Sequence, residues 1–459
     1  MKQLKNIRRI ALLTCAFLLP ACANLTYVNK PLDHWTPELQ QKTSQQVVSD
    51  RSPDMLVLLA FSGGGTRAAA FAYGALKELN QTQVTTPTGT RSLLSEVDMI
   101  SSVSGGSFAS AYYGLRGENM FSEFEEKFLR KDVEGALLLE MLNPLNWARM
   151  MSSTYGRTDI AARYYDEILF KNATFADTHR PGAPLIYINS TDLATGVQFS
   201  FEEGLFDFIC ADLSKYPLSH AVAASSAVPI LFSPITLKSY AGTCDFQPPA
   251  WADSERNDLQ DSLRYKQIAA LKGYLNQKER PWLHLVDGGI ADNLGLRPFY
   301  NFINAIGAPN TALSGINTAN LKQVLIISVN ARANPPAQWS LEQEAPAISE
   351  VINSLSSDQI DLYSSDTVQL LQDAYRLWAE NNSTAKNKIN FHFVEVDFDK
   401  VNDPAERLFL NEIGTNFDLN DKQVDQLISS AGMLLRGSKE LQAFLKESSA
   451  PQPVVKKRR

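Results

Sequence analysis

MLVLLAFSGGGTR, residues 55–67, decides the fold. Its first seven residues are apolar without interruption. A strand with one wet face alternates apolar and polar side chains, whereas a strand buried on both faces reads as an unbroken run. The run predicts a strand inside a mainly parallel sheet. It stops at Gly63-Gly64-Gly65, after which Ala68, Ala69, Ala70 and Ala75 favour a helix over residues 66–79. Strand, glycine turn and helix make one unit of an α/β fold.

The same grammar returns further along. Residues 97–103 are a second apolar strand, closed by Ser104-Gly105-Gly106 and followed by helical spacing over 108–115. Further strands are expected at 185–189, 283–286, 324–329 and 391–396, with amphipathic segments such as 159–170 and 297–306 between them. Strands alternating with helices predict a three-layer α/β/α architecture around a central, mainly parallel sheet. One such domain spans residues 54–332, with a polar surface insertion at 243–278 that contains Pro248, Pro249 and Trp251. Residues 333–445 read as a helical addition with one late strand packing on the core, and 446–459 as a disordered basic tail. No internal repeat divides the chain.

Three glycine-rich junctions close predicted strands, and ligands of open α/β sheets gather at the carboxyl ends of strands. At Gly63-Gly64-Gly65-Thr66-Arg67, a turn without Cβ atoms leads into a helix N-terminus, where free N–H groups and the helix dipole suit an anion. That anion is a developing oxyanion or a phosphate, unless the stretch is a bare turn. The Gly-Lys-Ser/Thr ending of a nucleotide loop is missing. At Ser102-Val103-Ser104-Gly105-Gly106, strand, sharp turn and helix have the form of a nucleophile elbow, although Ser102 stands where glycine is usual. At Leu285-Val286-Asp287-Gly288-Gly289, a strand delivers a carboxylate into a glycine turn. Asp287 acts there as a general base or simply caps its turn.

Glycine triplet with arginine two residues on, elbow serine and Asp-Gly-Gly, in this order, resemble the patatin-like phospholipase family. The segment Ala224-Ser225-Ser226-Ala227-Val228-Pro229, followed by Phe232 and Pro234, is similar to a family segment between elbow and aspartate. The resemblance covers about residues 54–330. It implies a serine–aspartate dyad without histidine: Ser104 as nucleophile, Asp287 as base, and an oxyanion hole drawn from Gly63, Gly64, Gly65 and Gly105. It further implies hydrolysis of fatty-acyl esters of phospholipids or lysophospholipids through an acyl-enzyme, with no metal or organic cofactor. Arg67 either meets a substrate phosphate or braces neighbouring structure.

Other readings stay open at this level. A Ser-His-Asp esterase would draw on His392 or His284. A non-catalytic lipid-binding or envelope scaffold lipoprotein could retain the fold. Phe199, Phe201, Phe206 and Phe208 line an acyl groove or fill the core. Trp147, Met150 and Met151 belong to a lid or are buried filler.

The N-terminus carries Lys2, Lys5, Arg8 and Arg9 before an apolar stretch, residues 10–19, too short to span a bilayer as a folded helix. Leu19-Pro20-Ala21-Cys22 resembles the lipobox of bacterial lipoproteins. The expectation is a signal peptide over 1–21, a lipidated anchor at Cys22, a tether over 22–53, and a place in the bacterial envelope at the outer membrane. An ordinary signal peptide with Cys22 incidental is the alternative.

An apolar content of 44% and a charged content of 20% suit a globular core rather than disorder. The net charge of −7 argues against nucleic acid as a partner. The expected partner is membrane lipid, and nothing sets the oligomeric state. Cys210 and Cys244 are able to pair in an exported protein, though spacing alone does not decide it. The five histidines are scattered without metal-ligand spacing.

Overall fold

The computed structural model describes residues 28–38, 51–152, 154–249, 262–305, 320–335, 338–341, 343–385 and 387–449. The expected signal, Cys22 and residues 450–459 of the expected basic tail lie outside them, whereas residues 446–448, expected to begin that disordered tail, end the last helix instead. β1 (Met55–Phe61) leads into α1 (Gly65–Gln81), and a small hairpin, β2 (Gln83–Thr86) with β3 (Gly89–Ser92), precedes β4 (Val97–Val103) and α2 (Gly105–Arg116). Among the helices that follow are α3 (Val133–Leu142), α4 (Pro144–Met150) and α5 (Arg157–Tyr165). Next come β5 (Leu185–Asp192), β6 (Gln198–Phe201), α6 (Leu218–Ser225), β7 (Ile235–Lys238), α7 (Ser262–Tyr274), β8 (Trp282–Asp287) and α8 (Arg297–Ala305). The remainder is β9 (Gln323–Asn330), α9 (Ile348–Asn382), β10 (Asn390–Asp397), α10 (Pro404–Glu412), α11 (Asp421–Gly437) and α12 (Lys439–Ser448).

The strands order as β10-β9-β1-β4-β5-β8-β7, with β6 also on β5. β1 lies at the heart of the sheet between β4 and β9, parallel to both. Its alternate residues feed two cores. Val57, Leu59 and Phe61 join Phe71, Leu76 and Phe108 on one face. Leu56, Leu58 and Ala60 join Phe299, Phe302 and Tyr375 on the other. Each buried side chain of this size contributes about 2 kcal/mol, so both faces must be apolar and the unbroken run follows.

The sheet is not parallel throughout. β8 runs antiparallel to β5, and β7 antiparallel to β8. Ile188 and Asn189 of β5 pair with β4 and with β6, which places those two strands on opposite edges of β5. Ser190 pairs with β6 and with Asp287 of β8, so β8 takes the same edge as β4. β4 covers residues 185–189 of that edge and β8 covers 190–192, one arriving from each direction. Their carboxyl ends meet head-on beside Asn189 and Ser190.

One expectation needs correcting, and two others take definite form. The stretch 28–36 within the supposed tether is docked: Asn29 exchanges hydrogen bonds with the backbone of Lys238, and the indole of Trp35 donates to Asp207 at 2.9 Å. The polar insertion is tied down as well, through a disulfide between Cys210 and Cys244 and through the Tyr274 hydroxyl, 3.0 Å from Asp192. The phenylalanines take the second of their two expected roles and fill the core. Phe199, Phe201 and Phe206 are fully buried, with ring centroids 5.7 to 6.0 Å apart.

Candidate functional site

The head-on meeting of β4 and β8 creates the site. Ser104 follows β4 with φ 48° and ψ −120°, a strained conformation for a residue with a Cβ. Such strain persists only where the surroundings over-determine it. The glycines after it permit the fold: a Cβ on Gly105 would stand 1.9 Å from the Gly65 carbonyl, so α2 starts in contact with the glycine turn before α1. Ser102, out of place for an elbow, is accommodated by hydrogen bonds to the hydroxyl of Ser110 at 2.5 Å and the carbonyl of Tyr187 at 3.2 Å.

The Ser104 hydroxyl donates to Asp287 Oδ2 at 2.9 Å. Both residues are buried, at 6% and 8% exposure. The other carboxylate oxygen accepts from the Gly289 N–H at 2.8 Å, which fixes the carboxyl plane. Burial raises the Asp287 pKa from 3.8 to about 6, and the two hydrogen bonds pull the other way without cancelling it. At pH 7 the group is still mostly ionised and is a far better base than an ordinary aspartate.

Residues whose roles the sequence did not reveal hold this pair. Ser225, at the end of α6, accepts from the Ser104 N–H at 2.8 Å and donates to the Asn189 carbonyl at 2.6 Å. The N–H groups of Asp287 and Gly288 donate to the carbonyls of Ala227 and Ser225. One short segment therefore grips nucleophile and carboxylate together. Asn189 bridges Ser101 and the Ser102 carbonyl on one side, and Gln198 and Ser200 on the other. Small residues at 224–229 were a visible signal for Ser225. Asn189 carried none, being one polar residue in an apolar strand.

The glycine turn lies against this pair, with the Cβ position of Gly63 only 3.3 Å from Ser104 Cβ. Gly63 does not serve as expected, because its N–H donates to the Asn293 carbonyl at 3.0 Å. The N–H groups of Gly64, Gly65 and Gly105 have no acceptor among the described residues, and two of them open helices whose dipoles add to their pull on an anion.

Arg67 takes the bracing one of its two expected roles. It is buried, and its guanidinium donates to the Ala331 carbonyl at 2.8 Å, to the Ile413 carbonyl and to the Thr415 hydroxyl at 2.9 Å. Desolvation lowers its pKa to about 10, which leaves it charged at neutral pH. Each of its three nitrogens is engaged with protein acceptors and the side chain is buried, so it braces structure. The histidine alternatives fare no better. His392 contacts Glu440, Glu447 and Phe444, and His284 meets Thr236. No histidine hydrogen-bonds Ser104 or Asp287 among the described residues.

A serine thrust from a strand–helix turn, a buried carboxylate and free amide hydrogens define the layout of an acyl hydrolase. The chain belongs to the patatin-like phospholipase family, lipid acyl hydrolases: the family model described as Patatin-like phospholipase matches residues 59–300, just over half of the chain. No curated protein matches it in sequence. Human GIVD cytosolic phospholipase A2 is similar in structure at 12% identity and a TM-score of 0.45, over 93% of this chain and 68% of that one. The same human protein in complex with methyl gamma-linolenyl fluorophosphonate inhibitor and terbium chloride matches at 14% identity and a TM-score of 0.44, over 92% and 65%.

Proposed function

We propose that this chain cleaves fatty-acyl esters of phospholipids or lysophospholipids at a membrane, using a Ser104–Asp287 dyad and an acyl-enzyme. The observation that carries the reading is the 2.9 Å hydrogen bond from the Ser104 hydroxyl to Asp287 beside unpaired glycine amides. Asp287 takes the hydroxyl proton as Ser104 Oγ attacks the ester carbonyl. The carbonyl oxygen becomes an oxyanion and is held by the N–H groups of Gly64, Gly65 and Gly105. Collapse expels the lysolipid alcohol, which receives the proton from Asp287. Water then attacks the acyl-serine with Asp287 again as base, and the fatty acid leaves as Asp287 returns the proton to Ser104 Oγ.

A carboxylate is a weak base for an alcohol, so positioning must supply much of the rate. Burial of Asp287 helps by raising its affinity for the proton. Exposed apolar residues on α3 and α4 support work at a lipid surface, among them Leu139, Leu145 and Trp147. The lipobox-like Leu19-Pro20-Ala21-Cys22 supports anchoring there in the bacterial envelope. No helix of the described residues is long and apolar enough to cross a membrane.

The test is product analysis by mass from mixed-chain phospholipid with wild type and Ser104→Ala. Free fatty acid and lysolipid are expected from the wild type alone, and identical product profiles would defeat the proposal. Mass measurement of the membrane-extracted chain checks the anchor, which predicts a diacylglyceryl mass on a fragment beginning at Cys22.

A further inference from the structure

Residues 413–417, between α10 and α11, lie beyond the segment that matches the family, yet they touch the glycine turn directly. The Asn416 carbonyl accepts from the Thr66 N–H at 2.9 Å. A Cβ on Gly65, where φ is +60°, would stand 2.3 Å from that same carbonyl. α1 has no side-chain cap at its N-terminus. A carbonyl from about 350 residues away does part of the cap's work and engages the Thr66 donor, leaving Gly64 and Gly65 as the open ones.

The contact is clamped from both ends. Arg67 binds the Ile413 carbonyl and the Thr415 hydroxyl while its Nε holds Ala331. The guanidinium also lies 3.1 Å from the Cβ position of Gly64. At the other end, Phe417 packs its ring on Phe108 of α2 and Tyr165 of α5, and its carbonyl accepts from Val133 at 3.2 Å. The segment therefore spans from the glycine turn to the helix that carries Ser104 at its head. Asn416 Oδ1 is buried with no partner among the described residues. Local rules of this kind are broken where another demand wins, often near a working site.

We propose that residues 413–417 are a positioning strap that sets the direction of the Gly64 and Gly65 amides, with Thr415 as its side-chain handle. This rests on the reading of those amides as oxyanion donors. A strap acts on the tetrahedral state and not on the bound ester, so its loosening lowers kcat and leaves KM alone.

Thr415 is exposed, and Thr415→Val removes one hydroxyl at nearly constant shape. On a soluble short-chain ester, kcat is expected to fall about 10-fold, since even 1 Å of misplacement costs on the order of 100-fold. KM stays within about twofold. Inhibition by a trifluoromethyl ketone, which adds the serine to form a tetrahedral oxyanion, weakens by the same factor as kcat, and Thr415→Ser restores both. Should Thr415→Val not fold, Phe417→Leu carries the same readouts. A folded variant with wild-type kcat overturns the strap, as does a kcat loss without weaker ketone binding. Ser104→Ala in parallel separates the two claims: turnover surviving there removes the oxyanion reading itself, whereas a dead Ser104→Ala beside an unaffected Thr415→Val removes only the strap.

Discussion

The junction of β4 and β8 and the arm formed by α3 and α4 are built on opposite plans. At the junction most polar side chains are turned inward and matched: Ser101, Ser102, Asn189, Ser225 and Asp287 are buried and hydrogen-bonded to one another or to backbone, and the buried Ser190 hydroxyl is the exception. In the arm a polar residue is inside and, apart from Val133 and Leu137 on α3, large apolar ones face out. Asn146 is fully buried, held by Glu140 and Arg149, while Leu139 and Leu145 are each 71% exposed and Met151 78%. Trp147, read from sequence as lid or filler, is exposed as well. A matched polar web fixes geometry because each lost partner strands a buried group. An apolar surface kept in water has no such geometry to protect and is free to meet lipid. Rigidity and adhesiveness are thus assigned to separate parts of one chain.

Substitutions should split along this division. Ser104→Ala is expected to lower kcat on any ester by at least about 1,000-fold, with normal folding by circular dichroism. Asp287→Asn should cost on the order of 1,000-fold as well, because the amide accepts no proton. Wild-type kcat/KM should climb with pH and level off above about 6, where Asp287 is ionised. A profile still rising through pH 8 would assign the base elsewhere.

The stability of the same group runs against its activity. Its folded pKa is raised from 3.8 to about 6, so the native state binds the proton more tightly than the unfolded chain. The stabilisation is complete below about pH 4 and is lost as pH rises through 6. Asp287→Asn should therefore be more stable than wild type at pH 7.5, on the order of 2 kcal/mol, measured by urea unfolding. Arg67→Met moves the other way. It strips donors from the Ala331 and Ile413 carbonyls and should lower stability by about 2 kcal/mol, read from the same urea midpoints.

The arm sets the small end of the scale. Leu139→Gln and Leu145→Gln should each change stability by less than about 0.5 kcal/mol. Hydrolysis of soluble ester should be unaltered, and hydrolysis of phospholipid vesicles reduced severalfold. Equal losses on both substrates would mean that the arm shapes the pocket rather than the contact with lipid.

What was legible in the sequence follows the same physics. The strand at 55–61 was readable because burial on both faces forces an unbroken apolar run, and those at 97–103 and 324–329 because most of their residues are apolar. Ser104 and Asp287 were readable because each sits at a turn whose glycines are needed for close approach. The antiparallel arrival of β8 was hidden, since an apolar run has no direction, and three turns at a common end of a parallel sheet was the natural but wrong picture. Arg67 was ambiguous because its acceptors are mostly backbone carbonyls, at positions 331 and 413, and a carbonyl belongs to every residue type. Gly63 was counted with its neighbours for a similar reason: which amide in a glycine triplet is occupied depends on a carbonyl at position 293.

α11 lies so close to α1 that a Cβ on Gly74 would stand 2.5 Å from the Ile428 carbonyl, and Arg436 of α11 pairs with Glu78 of α1. β10 meanwhile pairs along the whole of β9. The unit that inheritance defines and the unit that folds are therefore different lengths. A gene shortened to the recognisable family segment would expose the back of its first helix and an unpaired strand edge, and its product should clump rather than fail quietly.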